Sequence, residues 1–156
     1  MLNNKQAIIV VDDDLLSLRM LQRLLERKFK VFTASDGERA LQLLEKEPIC
    51  LILTDQQMPQ MSGIELLQKS RLIDENIIRM LVTADRDSKT FIDALKQAGA
   101  VRVINKPWDP EKLMRTVCEA LERYTVRAKN RLAFSDLNRA NEKLKQVCKR
   151  PMRPGV

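Results

Sequence analysis

The sequence predicts an α/β domain with a doubly wound parallel β-sheet, followed by a long C-terminal helix. Three observations support this fold class: five short apolar runs, amphipathic helical segments between them, and an uninterrupted helical pattern near the C-terminus. The 156 residues suffice for one ordinary domain with an appendage, but not for two full-sized domains. With 44% hydrophobic and 31% charged residues, 4 Gly and 6 Pro, the composition excludes a collagen-like or mainly disordered chain.

The apolar runs predict the five strands in order. They are almost free of polar residues, which is typical of strands that are covered on both faces in a parallel sheet. The runs are residues 7–11, 31–34, 49–53, 77–82 and 101–104. Strands and helices that alternate in this way indicate right-handed crossovers and a doubly wound sheet.

The segments between the runs predict one helix after each strand. Their apolar residues recur at spacings of three and four, which places each set on one helix face. The sets are Leu15, Leu18, Leu21 and Leu25; Ala40, Leu41 and Leu44; Ile64 and Leu67; Phe91, Ala94, Leu95 and Ala98; and Leu113, Val117 and Leu121. Pro48 and Pro59 break helices or shape loops, Ser88 is expected to cap the fourth helix, and Gly99 is expected to end it.

Polar residues that carry chemistry follow four of the five apolar runs. They are Asp12 and Asp13 after the first run, Asp55 after the third, Thr83 after the fourth and Lys106 after the fifth. Because parallel sheets of this class bind ligands beyond the carboxyl ends of their strands, we expect these side chains to share one site.

Each of these residues also has a simpler explanation. Asp12, Asp13 or Asp14 could cap the first helix, Asp55 could shape a turn, and a lysine at a strand end could be a solvated charge. Their joint occurrence at four strand ends favours the shared site over four unrelated explanations.

The residue types in this predicted site suit phosphoryl transfer. Clustered carboxylates repel one another and are stabilised by a divalent cation, and an oxygen-only donor set favours Mg²⁺. The chain has no His, which excludes His-dependent triads and His-containing zinc sites. We expect Asp13, with Asp12 behind it, to hold the metal while Asp55 attacks phosphorus. Lys106 and Thr83 are suited to hold the transferred group.

Four segments carry a resemblance to the receiver domain of two-component response regulators. They are IIVVDDD at 8–14, LILTDQQMPQMSG at 51–63, MLVTAD at 80–85 and VINKPWD at 103–109, and the similarity extends over about residues 5–122. The resemblance implies a flavodoxin-like sheet of order 2-1-3-4-5 and a phosphorylated signalling protein rather than an enzyme. It also implies that a histidine kinase, a phosphotransfer protein or a small acyl phosphate supplies the phosphoryl group.

The resemblance further assigns roles to particular residues. It implies that Asp13, Asp55 and the main-chain carbonyl of Gln57 coordinate Mg²⁺, with Asp12 acting mainly through water. It implies a cis peptide bond between Lys106 and Pro107.

Three positions bear on how the signal is switched. In the family, the hydroxyl that matches Thr83 moves toward the phosphate and an aromatic residue on the fifth strand rotates inward behind it. Val103 stands at the position of that aromatic residue and has no ring to rotate, so the aromatic part of the switch is not expected here. Trp108 replaces a residue that is often Phe, and we interpret it as an apolar plug rather than a signalling residue. Gln57 and Asp85 lie at positions that affect the lifetime of the acyl phosphate in the family.

The excess positive charge lies in the C-terminal segment. Residues 1–122 carry 18 Lys and Arg against 19 Asp and Glu, whereas residues 123–156 carry 10 against 2. We therefore predict a receiver domain at 1–122, a basic helical extension at 123–150 and a disordered tail at 151–156. The extension has residues at alternating steps of four and three, a coiled-coil period, and all are apolar except Asn130, a polar residue suited to set the register: Val126, Asn130, Ala133, Leu137, Ala140, Leu144 and Val147.

The extension has more than one interpretation. It could pair with a second copy to form a homodimer, or it could remain a solvated single helix. Its basic residues could also contact nucleic acid or an anionic membrane, but the chain has no recognisable DNA-reading motif, so nucleic acid is not favoured.

Two output mechanisms stay open. The chain could act by switching a contact with a downstream partner or a second copy. Alternatively, it could be the regulatory module of a longer effector enzyme, such as a cyclic-di-nucleotide phosphodiesterase or cyclase. A flavodoxin-like nucleotide-binding enzyme is disfavoured because no Gly-rich loop follows the first strand.

The remaining composition favours a cytoplasmic protein. No apolar run approaches the ~20 residues of a membrane-spanning helix, and no secretory signal is evident at the N-terminus. The three Cys are odd in number and lack metal-ligand spacing, so we expect buried or free thiols rather than a disulfide framework or a zinc site.

Overall fold

The computed structural model describes residues 5–84, 89–99 and 102–148. Its five parallel strands form one sheet in the order β2-β1-β3-β4-β5, which confirms the predicted topology. The strands are β1 (Ala7–Val11), β2 (Lys30–Ala34), β3 (Ile49–Asp55), β4 (Ile78–Thr83) and β5 (Arg102–Asn105). β1 lies between β2 and β3, so the chain reverses its direction of winding at β1.

A helix follows each strand. The helices are α1 (Leu15–Leu25), α2 (Gly37–Lys46), α3 (Gly63–Ile73), α4 (Lys89–Ala98) and α5 (Pro110–Cys148). Every residue of β1, β3 and β4 is buried, as expected for central strands covered on both faces. The core forms where these strands meet the apolar helix faces, and Ile9, Ile52 and Leu67 are fully buried there.

The ends of two helices bear on the predicted boundaries. Gly99 directly follows α4 with a φ of +67°, a left-handed conformation that suits glycine and confirms the expected helix end. The periodicity predicts Leu15 in the buried stripe of α1, but Leu15 is 64% exposed. It is the first residue of α1, and the buried face of that helix begins only at Leu18 and continues with Leu21 and Leu25. Ser88, Asp85, Val101 and the predicted tail at 151–156 lie outside the described residues.

α5 runs for 39 residues, so the predicted long C-terminal helix forms. The chain divides into two compact units, Met1–Leu121 and Glu122–Val156. Several apolar side chains of the second unit are exposed, namely Val126, Leu132, Phe134, Leu137, Leu144 and Val147. Among the described residues, no helix has the length and hydropathy needed to cross a bilayer.

Candidate functional site

The end of β1 supplies three consecutive aspartates with different local roles. Asp14 is the N-cap of α1 and accepts hydrogen bonds from Leu16 N, Ser17 N and the Ser17 hydroxyl, the last at 2.7 Å. The Ser17 hydroxyl lowers the pKa of Asp14. Asp12 is only 3% exposed, and its Oδ1 accepts the backbone N–H of Asp14 at 2.9 Å. Because Asp14 caps α1, the carboxylates of Asp12 and Asp13 remain available to a site at the carboxyl edge of the sheet.

Asp55 lies at the carboxyl end of β3 and is the centre of the site. It is 8% exposed, and its Oδ1 accepts a hydrogen bond from Lys106 Nζ at 2.8 Å. Carboxylate oxygens of Asp12, Asp13 and Asp55 all lie within 4.8 Å of one another. The structure therefore brings together three carboxylates and one ammonium group from the ends of three strands.

Thr83 is the last residue of β4, the strand next to β3, and is 3% exposed. Its carbonyl accepts the backbone N–H of Lys106 at 3.0 Å, so the strand pairing of β4 with β5 continues to the residue that contacts Asp55. A hydroxyl side chain and an ammonium side chain are thus fixed to the same edge of the sheet as Asp55.

The loop after Asp55 is tied closely to the start of α3. Gln56 donates its backbone N–H to Val82 O at 3.1 Å and accepts the N–H of Gly63 at 3.0 Å. Its side-chain Oε1 accepts the N–H of Ile64 at 2.9 Å. Gln57, proposed from the resemblance as a main-chain ligand, is exposed directly beside this anchored residue.

Gln56 and Gly63 belong to the site but are not identifiable from the sequence. A Cβ on Gly63 would collide with the carbonyl oxygen of Asp55 and approach Leu81 Cδ1 to 2.7 Å. Glycine therefore allows α3 to begin against the backbone of Asp55. The only sequence signal is the Ser-Gly pair at 62–63, which marks a helix start but not this close contact.

Electrostatics in the cluster favour an added cation. Burial raises the pKa of Asp12 to about 6, and the negative charge of Asp55 adds to this effect. Partial burial acts to lower the pKa of Lys106, but the hydrogen bond and charge of Asp55 outweigh it and raise that pKa. One ammonium group thus faces three carboxylates, and the ionised form of Asp12 is disfavoured without further positive charge.

The donor set fits a hard divalent cation. Three carboxylates supply only oxygen atoms, with Asp12 and Asp55 buried and Asp13 exposed, and Mg²⁺ prefers one or two carboxylates together with water. The residues present are therefore compatible with a partly hydrated magnesium site.

Three features next to the site concern positions that the sequence singles out. The peptide bond between Lys106 and Pro107 is cis. Val103 is half-buried in β5, beside Leu81 of β4. Trp108 is half-buried between Lys106 and the start of α5.

This site lies in a fold that matches a known signalling family. The family model described as the response regulator receiver domain matches residues 8–118, so the chain belongs to the receiver-domain family of two-component phosphorelay signalling. A receiver domain is a signalling module and not a classical enzyme.

Two relatives and one solved structure show how far the similarity extends along the chain. The chain is 34% identical over 141 residues to the hydrogenase transcriptional regulatory protein HoxA of Bradyrhizobium diazoefficiens, covering 90% of this chain and 29% of that protein. It is 32% identical over 114 residues to sporulation initiation phosphotransferase F of Bacillus subtilis, covering 72% of this chain and 90% of the relative. The receiver domain of an HD domain-containing protein from Pseudomonas fluorescens Pf-5 matches with a TM-score of 0.76 and 29% identity, over 83% of this chain and 96% of that one.

The first two relatives differ greatly in length from each other. This chain spans less than a third of HoxA but corresponds to most of the sporulation phosphotransferase. The comparisons therefore establish the receiver domain but not the output that it controls.

Proposed function

We propose that Asp55 accepts a phosphoryl group and that its phosphorylation switches the contacts of this protein. The observation that carries the proposal is the position of Asp55, which is nearly buried, contacts Lys106 at 2.8 Å and lies beside the carboxylates of Asp12 and Asp13. No other described carboxylates form such a group.

The chain's own residues divide the work of the reaction. Lys106 orients the carboxylate of Asp55 through Oδ1 and supplies a positive charge for the incoming phosphoryl oxygens. Thr83 contributes a hydroxyl on the adjacent strand that is suited to one of those oxygens. Asp12, Asp13, Asp55 and the carbonyl of Gln57 would hold Mg²⁺. When bound, Mg²⁺ neutralises negative charge on the transferred group.

The transfer conserves atoms and charge in a simple displacement. A carboxylate oxygen of Asp55 forms a bond to phosphorus while the bond from phosphorus to the donor breaks. The donor is a phosphohistidine of a kinase or phosphotransfer protein, or a small acyl phosphate, and it leaves with the bonding electron pair. Water attack on the acyl phosphate later returns Asp55 to the carboxylate.

Intact-mass measurement tests this assignment. The purified chain is incubated with acetyl phosphate, with and without Mg²⁺, and we expect one phosphoryl adduct that requires the metal. Asp55→Asn should abolish the adduct, while Asp36→Asn, which changes the N-cap of α2, should retain it. An adduct that persists in Asp55→Asn would show that another residue is the acceptor.

The partner that delivers phosphorus should dock beside this site. Leu15 and Leu16 open α1 immediately after Asp14 and are 64% and 68% exposed. Two adjacent apolar side chains at the rim of a charged site are suited to contact a protein donor. Substituting both by Asn should slow transfer from a phosphorylated donor protein without affecting labelling by acetyl phosphate.

The output is proposed to be a change in protein contacts. HoxA is longer than this chain, and the Pseudomonas receiver belongs to an HD domain-containing protein, so control of a fused effector remains the alternative. Reading the gene beyond the codon for Val156 distinguishes the two. The cytoplasmic location stays a prediction.

We further propose that residues 1–122 form the receiver and that the helix of residues 123–150 pairs with a second copy. Val126, Leu137, Leu144 and Val147 lie on the predicted seam and are each more than half exposed in the single chain. Sedimentation should show a dimer for the full chain and a monomer for a version that ends at Glu122. Identical monomers would exclude the pairing.

A further inference from the structure

A groove lies between the C-terminal end of α1 and the first part of α5. Its volume is about 500 Å³, and it is open along one side. α1 begins at Leu15 beside the phosphoryl site, whereas the groove begins at Leu24, about 14 Å further along the helix at 1.5 Å per residue. The α1 side of the groove is therefore separate from Leu15 and Leu16, whereas its α5 side includes Pro110 and Glu111 at the start of that helix.

The floor of the groove is apolar. Leu24 of α1 and Met114 and Cys118 of α5 line it, and all three are half-buried. Met114 and Cys118 are four residues apart and so lie on the same face of α5. Methionine adapts its shape readily to different partners, which suits a binding surface.

The rim of the groove is positively charged. Arg27, Lys28 and Arg115 line it and are exposed, and the groove holds a single acidic residue, Glu111. Within the described part of the chain, none of these three cations forms an ion pair. Three cationic side chains that have no described ion-pair partner therefore lie around the apolar floor of the groove.

We propose that this groove binds an amphipathic segment of a partner protein in which carboxylates flank an apolar side chain. The apolar side chain would cover Leu24 and Met114, and the carboxylates would pair with Arg27, Lys28 and Arg115. A concave floor suits an inserted side chain better than a flat bilayer surface. A nucleic-acid backbone would leave the apolar floor uncovered and would face Glu111, so the charge pattern favours an acidic peptide.

A synthetic peptide tests the proposed chemistry. The probe is a fluorescein-labelled helical peptide with Leu at alternating spacings of three and four and Glu beside each Leu, and its anisotropy is measured with the full chain. We expect saturable binding, and no binding by the same peptide with Lys in place of Glu. The double variant Arg27→Glu/Arg115→Glu should weaken binding by about tenfold or more, because it replaces two attractive contacts with repulsion.

A matched variant separates the groove from the general charge of the protein. Arg39→Glu/Lys46→Glu makes the same charge change at exposed positions on α2 and should leave peptide affinity within about twofold. Equal weakening by both double variants would show only non-specific attraction and would overturn the proposal. Labelling of Asp55 by acetyl phosphate serves as an independent measure that each variant is folded.

Cys118 provides a direct test of location. It is half-buried in the groove, whereas Cys50 is buried in the core, so alkylation of each by iodoacetamide can be followed by peptide mass mapping. A saturating concentration of the acidic peptide should slow alkylation of Cys118 several-fold and leave Cys50 unchanged. Unchanged alkylation of Cys118 would refute the groove. Protection by anionic lipid vesicles or duplex DNA, without protection by the peptide, would refute the proposed partner.

Discussion

Substitution of Gly63 by Ala should disturb the acidic site around Asp55 through the backbone. Gly63 is the first residue of α3, and its N–H donates to Gln56 O, one residue after Asp55. An added Cβ would lie against the carbonyl oxygen of Asp55, and at 3.0 Å from its carbonyl carbon. The atoms that this Cβ would contact belong to Asp55 of β3 and Leu81 of β4. Because both strands are central in the sheet, neither these atoms nor the start of α3 can move aside freely.

The magnitude follows from the displacement that the new methyl group requires. Its contact with Leu81 Cδ1 at 2.7 Å must lengthen by roughly 0.7 Å to reach ordinary van der Waals separation, and the contact with Asp55 O must lengthen by more. Overpacking of this kind destabilises proteins by about 1–3 kcal/mol. The better helix propensity of Ala offsets up to about 1 kcal/mol of that. We therefore expect a net loss of about 1–2 kcal/mol and slower labelling of Asp55.

Gly37→Ala is the matched control. Gly37 is also the first residue of its helix, but the three atoms nearest to an added Cβ there all belong to the side chain of Met61 and none to the backbone. Urea unfolding followed by circular dichroism gives the free energies of unfolding, and acetyl phosphate labelling gives the rate at Asp55. Gly37→Ala should change the stability by less than about 0.5 kcal/mol. Equal stability of Gly63→Ala and the parent, or equal losses in both variants, would refute the steric argument.

Two further substitutions probe buried charges. Asp12→Asn should stabilise the metal-free protein by about 2–3 kcal/mol, because it removes a carboxylate whose pKa burial raises from 3.8 to about 6. Urea unfolding in EDTA at neutral pH measures the free energy of unfolding of this variant and of the parent. A lower stability of the variant would contradict the prediction. Arg79→Met should cost about 2–4 kcal/mol, since its buried guanidinium donates to the carbonyls of Gly99, Asp74 and Glu75. Arg71→Met, which removes one hydrogen bond from an exposed side chain, should cost less than about 1 kcal/mol in the same assay, and equal costs would contradict the role of burial.

The sheet and the composition of its edge are predictable because each rests on a local pattern. The apolar runs end where the strands leave the core, so the polar residues that follow, such as Asp12 and Lys106, necessarily lie at the carboxyl edge of a parallel sheet. Asp55 and Thr83 are themselves the last residues of their strands, which extend slightly further than the apolar runs. The order of the strands comes from the family resemblance and not from periodicity.

Features that depend on how separate elements approach one another are not predictable from the sequence. Arg79 interrupts an apolar run and would ordinarily be expected at the surface, yet it is 6% exposed because the carbonyls at the ends of α3 and α4 satisfy its donors. The contact of Gly63 with Asp55 requires the final position of α3 on β3. The groove beside Leu24 likewise forms only when α1 and α5 lie next to each other.

The cluster of Asp12, Asp13 and Asp55 is electrostatically unfavourable when no cation is bound. Lys106 balances the charge of Asp55, but Asp12 is held in a nearly water-free position that raises its pKa, and Asp13 adds a further negative charge nearby. Any additional positive charge lowers the free energy of this cluster. If Asp55 accepts a phosphoryl group as proposed, that group adds negative charge to the cluster, so we expect a bound cation and the Lys106 ammonium to be needed together to neutralise it.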